Sequence, residues 1–326
     1  MTGEKQAGDE GNAQILPAPV PRRPRFLWEK GLRHRPSYII MGQRPFRKRG
    51  IEMKKAAFIG VGNMGGALAR AACRAAGPER VVLVNRTRSK AEALAAELGC
   101  TAVGSSADAV QEAEYVFLGV KPQDMRPLLG SLATLLYGLH RDGADKVLVS
   151  MAAGVELSAM HELVNGAGYD VPLLRVMPNT CVAVGQGMTA LCARPGVDEA
   201  RIRDVEDLLS ASGRVARIPE KLFDQFSAVA GCGPAFVYPY IEALADGAVS
   251  VGLPRAQAVE YAARMVMGAA SMVLESGKHP GQLKDEVCSP GGSTIAGVAE
   301  LERGGLRAAA VNAVQAAYRR GTELGK

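Results

Sequence analysis

The run Ala57-Phe-Ile-Gly60-Val-Gly62-Asn-Met-Gly65-Gly66 constrains the fold more than any other stretch of the chain. An apolar segment enters it, a G-x-G-x-x-G follows, and Ala67-Leu-Ala-Arg-Ala-Ala-Cys73 leaves it with helical composition. Strand, tight turn and helix in that order are the setting in which this motif holds a dinucleotide; without it, the same glycines describe a ligand-free turn. Gly60 suits the turn, Gly62 lets backbone approach a pyrophosphate, and Gly65 allows helix and strand to pack closely. The helix N-terminus offers unpaired N–H groups and a positive dipole end to phosphates.

Downstream, short apolar runs alternate with helical patterns, which predicts parallel β-α-β units. Strands are expected at Ala56–Ile59, Val81–Val84, Tyr115–Val120, Lys146–Ser150, Leu173–Val176, Met188–Leu191 and Val215–Ile218. Helices are expected at Gly65–Ala76, Ser89–Leu98 and Asp198–Ala211. After about residue 218 the strand patterns cease. Phe223–Ala230, Pro234–Val251, Pro254–Glu275, Ser293–Glu302 and Leu306–Leu324 read as helices. The fold class is therefore α/β, a doubly wound, mostly parallel Rossmann sheet over 53–217 followed by an all-α part over 218–326. The last helix aligns Leu306, Ala309, Ala310, Ala313, Val314 and Ala317 on one stripe, which suits an intrachain core or a subunit interface equally.

The formal charge of +6 belongs to one end of the chain. Residues 1–52 hold 11 basic and 5 acidic groups; subtracting them from the totals of 39 and 33 leaves 28 of each sign. The balanced remainder gives no electrostatic case for nucleic acid. The leader is rich in Pro, Arg and Gly without periodicity, so it is expected to be disordered. Met53-Lys-Lys reads as a natural start, which would make the leader a start-site artefact outside the fold. No apolar run has the length of a membrane helix. Six scattered cysteines, with no metal-ligand spacing among them, point to reduced thiols in a cytoplasmic protein and to no bound metal.

At the end of the second strand, where a carboxylate would select NAD through the ribose hydroxyls, the chain reads Asn85-Arg86-Thr87-Arg88. A guanidinium pairs bidentately with a 2′-phosphate, so NADPH is expected over NADH unless both arginines are only solvated helix-entry charges. Val120-Lys121-Pro122 and Ser150-Met-Ala-Ala153-Gly follow two further strands that face the same crevice. A second concentrated stretch, His279 to Ile295, contains Ser289-Pro-Gly-Gly-Ser-Thr294 leading into a helix. Backbone N–H groups at that entry suit a carboxylate; the other reading is an ordinary N-cap turn.

These pieces, with Ala152-Ala-Gly, Met177-Pro-Asn-Thr, Gly231-Cys-Gly-Pro-Ala-Phe and Ala243-Leu-Ala-Asp-Gly-Ala, resemble the pyrroline-5-carboxylate reductase family from about Lys55 to the end. The resemblance implies NAD(P)H-dependent reduction of the imine 1-pyrroline-5-carboxylate to L-proline. It also implies a homodimer built through the C-terminal helices, with rings of dimers in many relatives. It places the cofactor against Ile59, Gly60, Val61, Gly62, Asn63, Met64, Arg86, Val120, Lys121, Pro122 and Ala153, with Ser106 as a further contact. Ser289, Gly291, Gly292 and Ser293 would hold the substrate carboxylate, Thr294 would meet the ring nitrogen, and Gln186 would lie nearby.

The residues agree with imine chemistry. The folded part has only His140, His161 and His279, none at a strand end, and His140, in a polar loop, and His279 read as structural. An imine can enter already protonated, so hydride addition needs positioning more than a strong acid. Two rivals remain. A β-hydroxyacid-type NADP dehydrogenase would want a lysine on the first long helix after the Rossmann domain, and Phe236–Val251 has none. A non-catalytic NADP(H)-binding regulator would have no use for Ser289–Thr294.

Overall fold

The computed structural model describes residues 55–164 and 168–324. The expectations for residues 1–52 and for a start at Met53 lie outside them. In chain order the first part comprises β1 (Ala56–Ile59), α1 (Asn63–Ala76), β2 (Val81–Val84), α2 (Arg88–Leu98), β3 (Thr101–Ala102) and α3 (Ser106–Glu112). It continues with β4 (Tyr115–Leu118), α4 (Pro122–Arg141), β5 (Val147–Ser150), α5 (Leu157–Val164), β6 (Leu173–Pro178), β7 (Gly187–Ala193), α6 (Glu199–Leu208) and β8 (Gly213–Arg217). They form one eight-stranded sheet in the order β3-β2-β1-β4-β5-β6-β7-β8, parallel except where β7 runs against β6.

Strands of four residues suffice because both faces are covered, as a parallel sheet requires. Side chains alternate between two cores. Phe58, Leu83, Phe117 and Val149 enter one, with α1, α2 and α6; Ile59, Val82, Leu118 and Leu148 enter the other, with α3, α4 and α5. Phe58 and Phe117, in register on neighbouring strands, stack with ring centroids 4.6 Å apart. The order in which successive strands are added reverses between the parallel β1 and β4, so their carboxyl ends flank the crevice where doubly wound sheets bind ligands.

Several expected boundaries shift. The strand from Tyr115 ends at Leu118, where Gly119 turns the chain, and α1 begins at Asn63, two residues before Gly65. Helix α6 stops at Leu208 and tightens into a single turn at Ser210–Ser212. Helices α3, α4 and α5 and strand β3 come in addition, and His140 lies in the last turn of α4 rather than in a loop.

After β8 the chain is helical: α7 (Phe223–Phe226), a π-turn at Ser227–Gly231, α8 (Gly233–Ser250), α9 (Arg255–Ser276), α10 (Pro280–Val287), α11 (Ser293–Arg303) and α12 (Leu306–Leu324). The π-turn replaces the second half of the helix expected over Phe223–Ala230, and α10 occupies the first half of the 279–295 stretch. Arg175 of β6 anchors this part to the sheet. Its guanidinium is buried, pairs with Glu220 at 2.9 Å and lies 4.8 Å from the centre of the Phe223 ring. The same Glu220 carboxylate accepts the Leu157 N–H at 2.8 Å, which ties the start of α5 to this anchor. Within α8 and α9 only Ala245, Ala258 and Ala262 are buried. The small-residue stripe on α12 is exposed or half-buried, so it is not the core of a single chain.

Candidate active site

The floor of the crevice is made of glycine. Gly60 has φ +95°, and a Cβ there would lie 2.6 Å from the Gly119 carbonyl oxygen; a Cβ on Gly65 would collide with the Gly60 carbonyl. The backbones of β1, α1 and the β4 turn therefore touch only because no side chain intervenes. Gly62 differs, because a Cβ built on it meets nothing within 4 Å. It caps α1 without a side-chain hydrogen bond, and the first turn of that 14-residue helix carries no acidic residue. An anion at this point faces open backbone amides and a positive helix end, so the residues fit a dinucleotide pyrophosphate.

The loop after β2 is tied to this turn. Asn85 Oδ1 accepts the Val61 N–H at 3.2 Å, and its Nδ2 donates to the Thr87 carbonyl at 3.1 Å. Nothing in the sequence singles out Asn85 for this role, although a carboxamide that bonds nearby backbone is typical loop chemistry. The two arginines then part company. Arg88 donates to Glu92 one helical turn on, at 2.7 Å. Arg86 is 89% exposed, with Asp124 its nearest carboxylate at 3.9 Å, so of the pair it is Arg86 that can meet an incoming phosphate.

Ile59–Met64, Arg86, Ser106, Val120–Pro122, Ala153 and Gln186 all follow carboxyl ends of the parallel strands, on one edge of the sheet. Lys121 caps α4 through its backbone and is exposed, with Pro122 in the first turn. Ser106 opens α3 next to its cap, Ser105, whose hydroxyl accepts the Asp108 N–H. Ala153 and Gln186 are exposed in the turns after β5 and β6.

The second cradle lies elsewhere in the chain. Gly291 has φ +67°, Gly292 caps α11 with no side-chain hydrogen bond, and the Gly292 N–H donates to the Ser289 carbonyl at 3.0 Å. A Cβ on Gly292 would collide with the Ser289 hydroxyl. Ser289, Ser293 and Thr294 are exposed around this entry. The helix packs on α12, and neither α10 nor α11 has a substantial contact surface with any strand. The chain thus gathers the first set of predicted residues on one edge and the second on a separate exposed helix entry. The histidines serve structure: His279 caps α10 by accepting the Gly281 N–H, and His140 pairs with Asp145 at 2.6 Å while stacking on Tyr169.

Comparison with known proteins follows this division. Residues 55–154 match the family model "NADP oxidoreductase coenzyme F420-dependent", and residues 220–324 match "Pyrroline-5-carboxylate reductase dimerisation". The chain is 42% identical over 269 residues to a pyrroline-5-carboxylate reductase of Pisum sativum, covering 82% of this chain and 94% of the relative. It is 38% identical over 275 residues to the corresponding protein of Escherichia coli K12, covering 84% and 99%. Among solved structures it is similar to a Plasmodium falciparum pyrroline carboxylate reductase with NADP bound, with TM-score 0.73, 29% identity and coverage of 85% and 100%.

Proposed function

The chain belongs to the pyrroline-5-carboxylate reductase family, and from that premise we propose how its two cradles divide the work of reducing 1-pyrroline-5-carboxylate to L-proline. NADPH held at the sheet edge supplies the hydride. The open amides from Gly62 to Met64 take the pyrophosphate while Ile59, Gly60 and Val61 shape the turn beneath it, Arg86 takes the 2′-phosphate and so favours NADPH over NADH, and Val120, Lys121, Pro122, Ser106 and Ala153 line the remainder. The N–H groups around Ser289, Gly291, Gly292 and Ser293 hold the substrate carboxylate at the positive end of α11. Thr294 sets the ring nitrogen, and Gln186 borders the substrate. These groups bring two rings together and fix one charge; no strong acid is needed for an imine that arrives protonated.

The observation that carries this reading is the pairing, in one chain, of a side-chain-free cradle at the start of α1 with an uncapped Gly-Gly entry to α11. The rival dehydrogenase reading lacks its lysine, since α8 carries none. The apolar surface left open on α8, α9 and α12 supports a homodimer through the 218–326 part, with dimers assembling further into a ring. Among the described residues no helix is long and apolar enough to cross a membrane, and the unpaired cysteines support a cytoplasmic setting.

The test follows NADPH absorbance with 1-pyrroline-5-carboxylate against simple 2-keto acids. Turnover of the imine alone is expected, and turnover of the keto acids alone would overturn the reading. Thr294→Ala is expected to lower kcat roughly tenfold or more without unfolding the protein. A parental rate would remove Thr294 from the reaction.

A further inference from the structure

Two stretches singled out in the sequence, Met177-Pro-Asn-Thr and Gly231-Cys-Gly-Pro-Ala-Phe, have no part in either cradle. The structure joins them. In a regular helix the Ala230 carbonyl would accept the N–H of the residue four positions on, but that residue is Pro234, which has none. The chain widens here into the π-turn, closed by Cys232 N–H donating to the Ser227 carbonyl at 2.8 Å. Inserted turns of this kind recur at functional sites. Asn179, just past the end of β6 and 8% exposed, supplies the missing donor: its Nδ2 reaches the Ala230 carbonyl at 2.9 Å. Its Oδ1 accepts the Met188 N–H at 3.3 Å, two residues beyond Gln186. One buried carboxamide therefore clamps the carboxyl edge of the sheet, the strand after Gln186 and the root of α8.

We propose that Asn179 is a positioning residue for the hydride transfer. The π-turn it holds packs against α12, and α12 in turn carries α11, whose N-terminus is the Ser289–Thr294 cradle. The carboxamide thus fixes the register between the sheet edge and the helices that bear the substrate loop. A displacement of about 1 Å at a reacting centre costs on the order of a hundredfold in rate. Arg175, four residues earlier on β6, anchors Glu220 and Phe223 independently, so loss of the Asn179 bond shifts the π-turn without releasing the helical part.

The inference rests on the reductase reading, and one experiment separates the two. Asn179→Asp keeps the volume and the acceptor but removes the N–H donor. The variant is expected to lose roughly tenfold to a hundredfold in kcat while NADPH binding, measured by fluorescence without substrate, keeps the parental dissociation constant. The cradle on β1, β2 and β4 is untouched by the change. A purely structural role would lower Tm and leave the kcat of the folded enzyme alone. A parental protein that fails to reduce the imine sinks the reductase reading. An active parental protein with an equally fast Asn179→Asp variant overturns the role of Asn179. Should Asn179→Asp not accumulate folded, Asn179→Ser, whose hydroxyl is too short to reach the Ala230 carbonyl, is read by the same comparison.

Discussion

Arg86 is the side chain on which we propose that cofactor choice turns. It is nearly fully exposed and only loosely paired, while its neighbour Arg88 is held by Glu92. Hydrogen bonds to charged groups contribute about 1.5–3 kcal/mol each. Arg86→Glu is therefore expected to lower kcat/KM for NADPH roughly tenfold to a hundredfold while sparing NADH; unchanged ratios of the two would show that another group selects the phosphate. Cys73 gives a second prediction, in pH. Burial, with Cys100 beside it, pushes its thiol from 9.0 up to about 12. The unfolded chain loses this proton near pH 9 and the folded chain keeps it, so the stabilisation is complete below pH 9 and drains away as pH climbs toward 12. Tm should fall along that limb, and fall less steeply in Cys73→Ala. Parallel slopes would show that Cys73 does not drive the alkaline loss. Cys192, buried beside Glu220 and likewise pushed up to about 12, gives the parent and the variant the same residual slope.

At the level of elements, β1 and α1 stand or fall together. Gly65 lets α1 approach the Gly60 carbonyl, so Gly65→Ala must push the helix off the strand. Overpacking of this kind costs about 1–3 kcal/mol. NADPH binding is expected to weaken along with Tm, because the displaced helix end is the anion site we propose; a variant that loses stability but binds NADPH as tightly as the parent would separate cradle from packing. This unit was legible in the sequence because its signal is local: a four-residue apolar strand, glycines at fixed offsets and an alanine-rich helix. Strands β2, β4 and β5 were legible for the same reason, as was the helix entry at Ser289–Thr294, where small residues precede α11. Helix α4 was missed although Pro122 marks its first turn, and α10 was hidden by its Pro-Gly opening. The clamp at Asn179 could not be read at all, since its bonds span 51 and 9 residues and depend on how the sheet and the π-turn pack.

For the whole molecule, the unsolved balance is apolar surface. Helix α9 contains Met265-Val-Met-Gly-Ala-Ala-Ser-Met-Val-Leu274 without a charge, yet Met265, Met267, Met272 and Leu274 are all exposed. A helix apolar on every side is normally buried, and among the described residues α8 is the one element against which this stretch packs substantially. The dimerisation model spans the same region, which is why a second copy is the natural cover. Met267 is 61% exposed, so replacing it disturbs no intrachain core. Met267→Asp would place an unpaired carboxylate in the assembled interface, a cost of several kcal/mol that raises the dissociation constant on the order of a hundredfold or more. Sedimentation velocity should show lighter species at concentrations where the parent is associated. Activity should fall in step if, as we propose, the Ser289–Thr294 entry, which has no substantial contact with the described strands of its own chain, faces the hydride donor through the helical assembly. A lighter but fully active variant would mean that a single chain completes the site; an unchanged mass would place the contact on a surface other than α9.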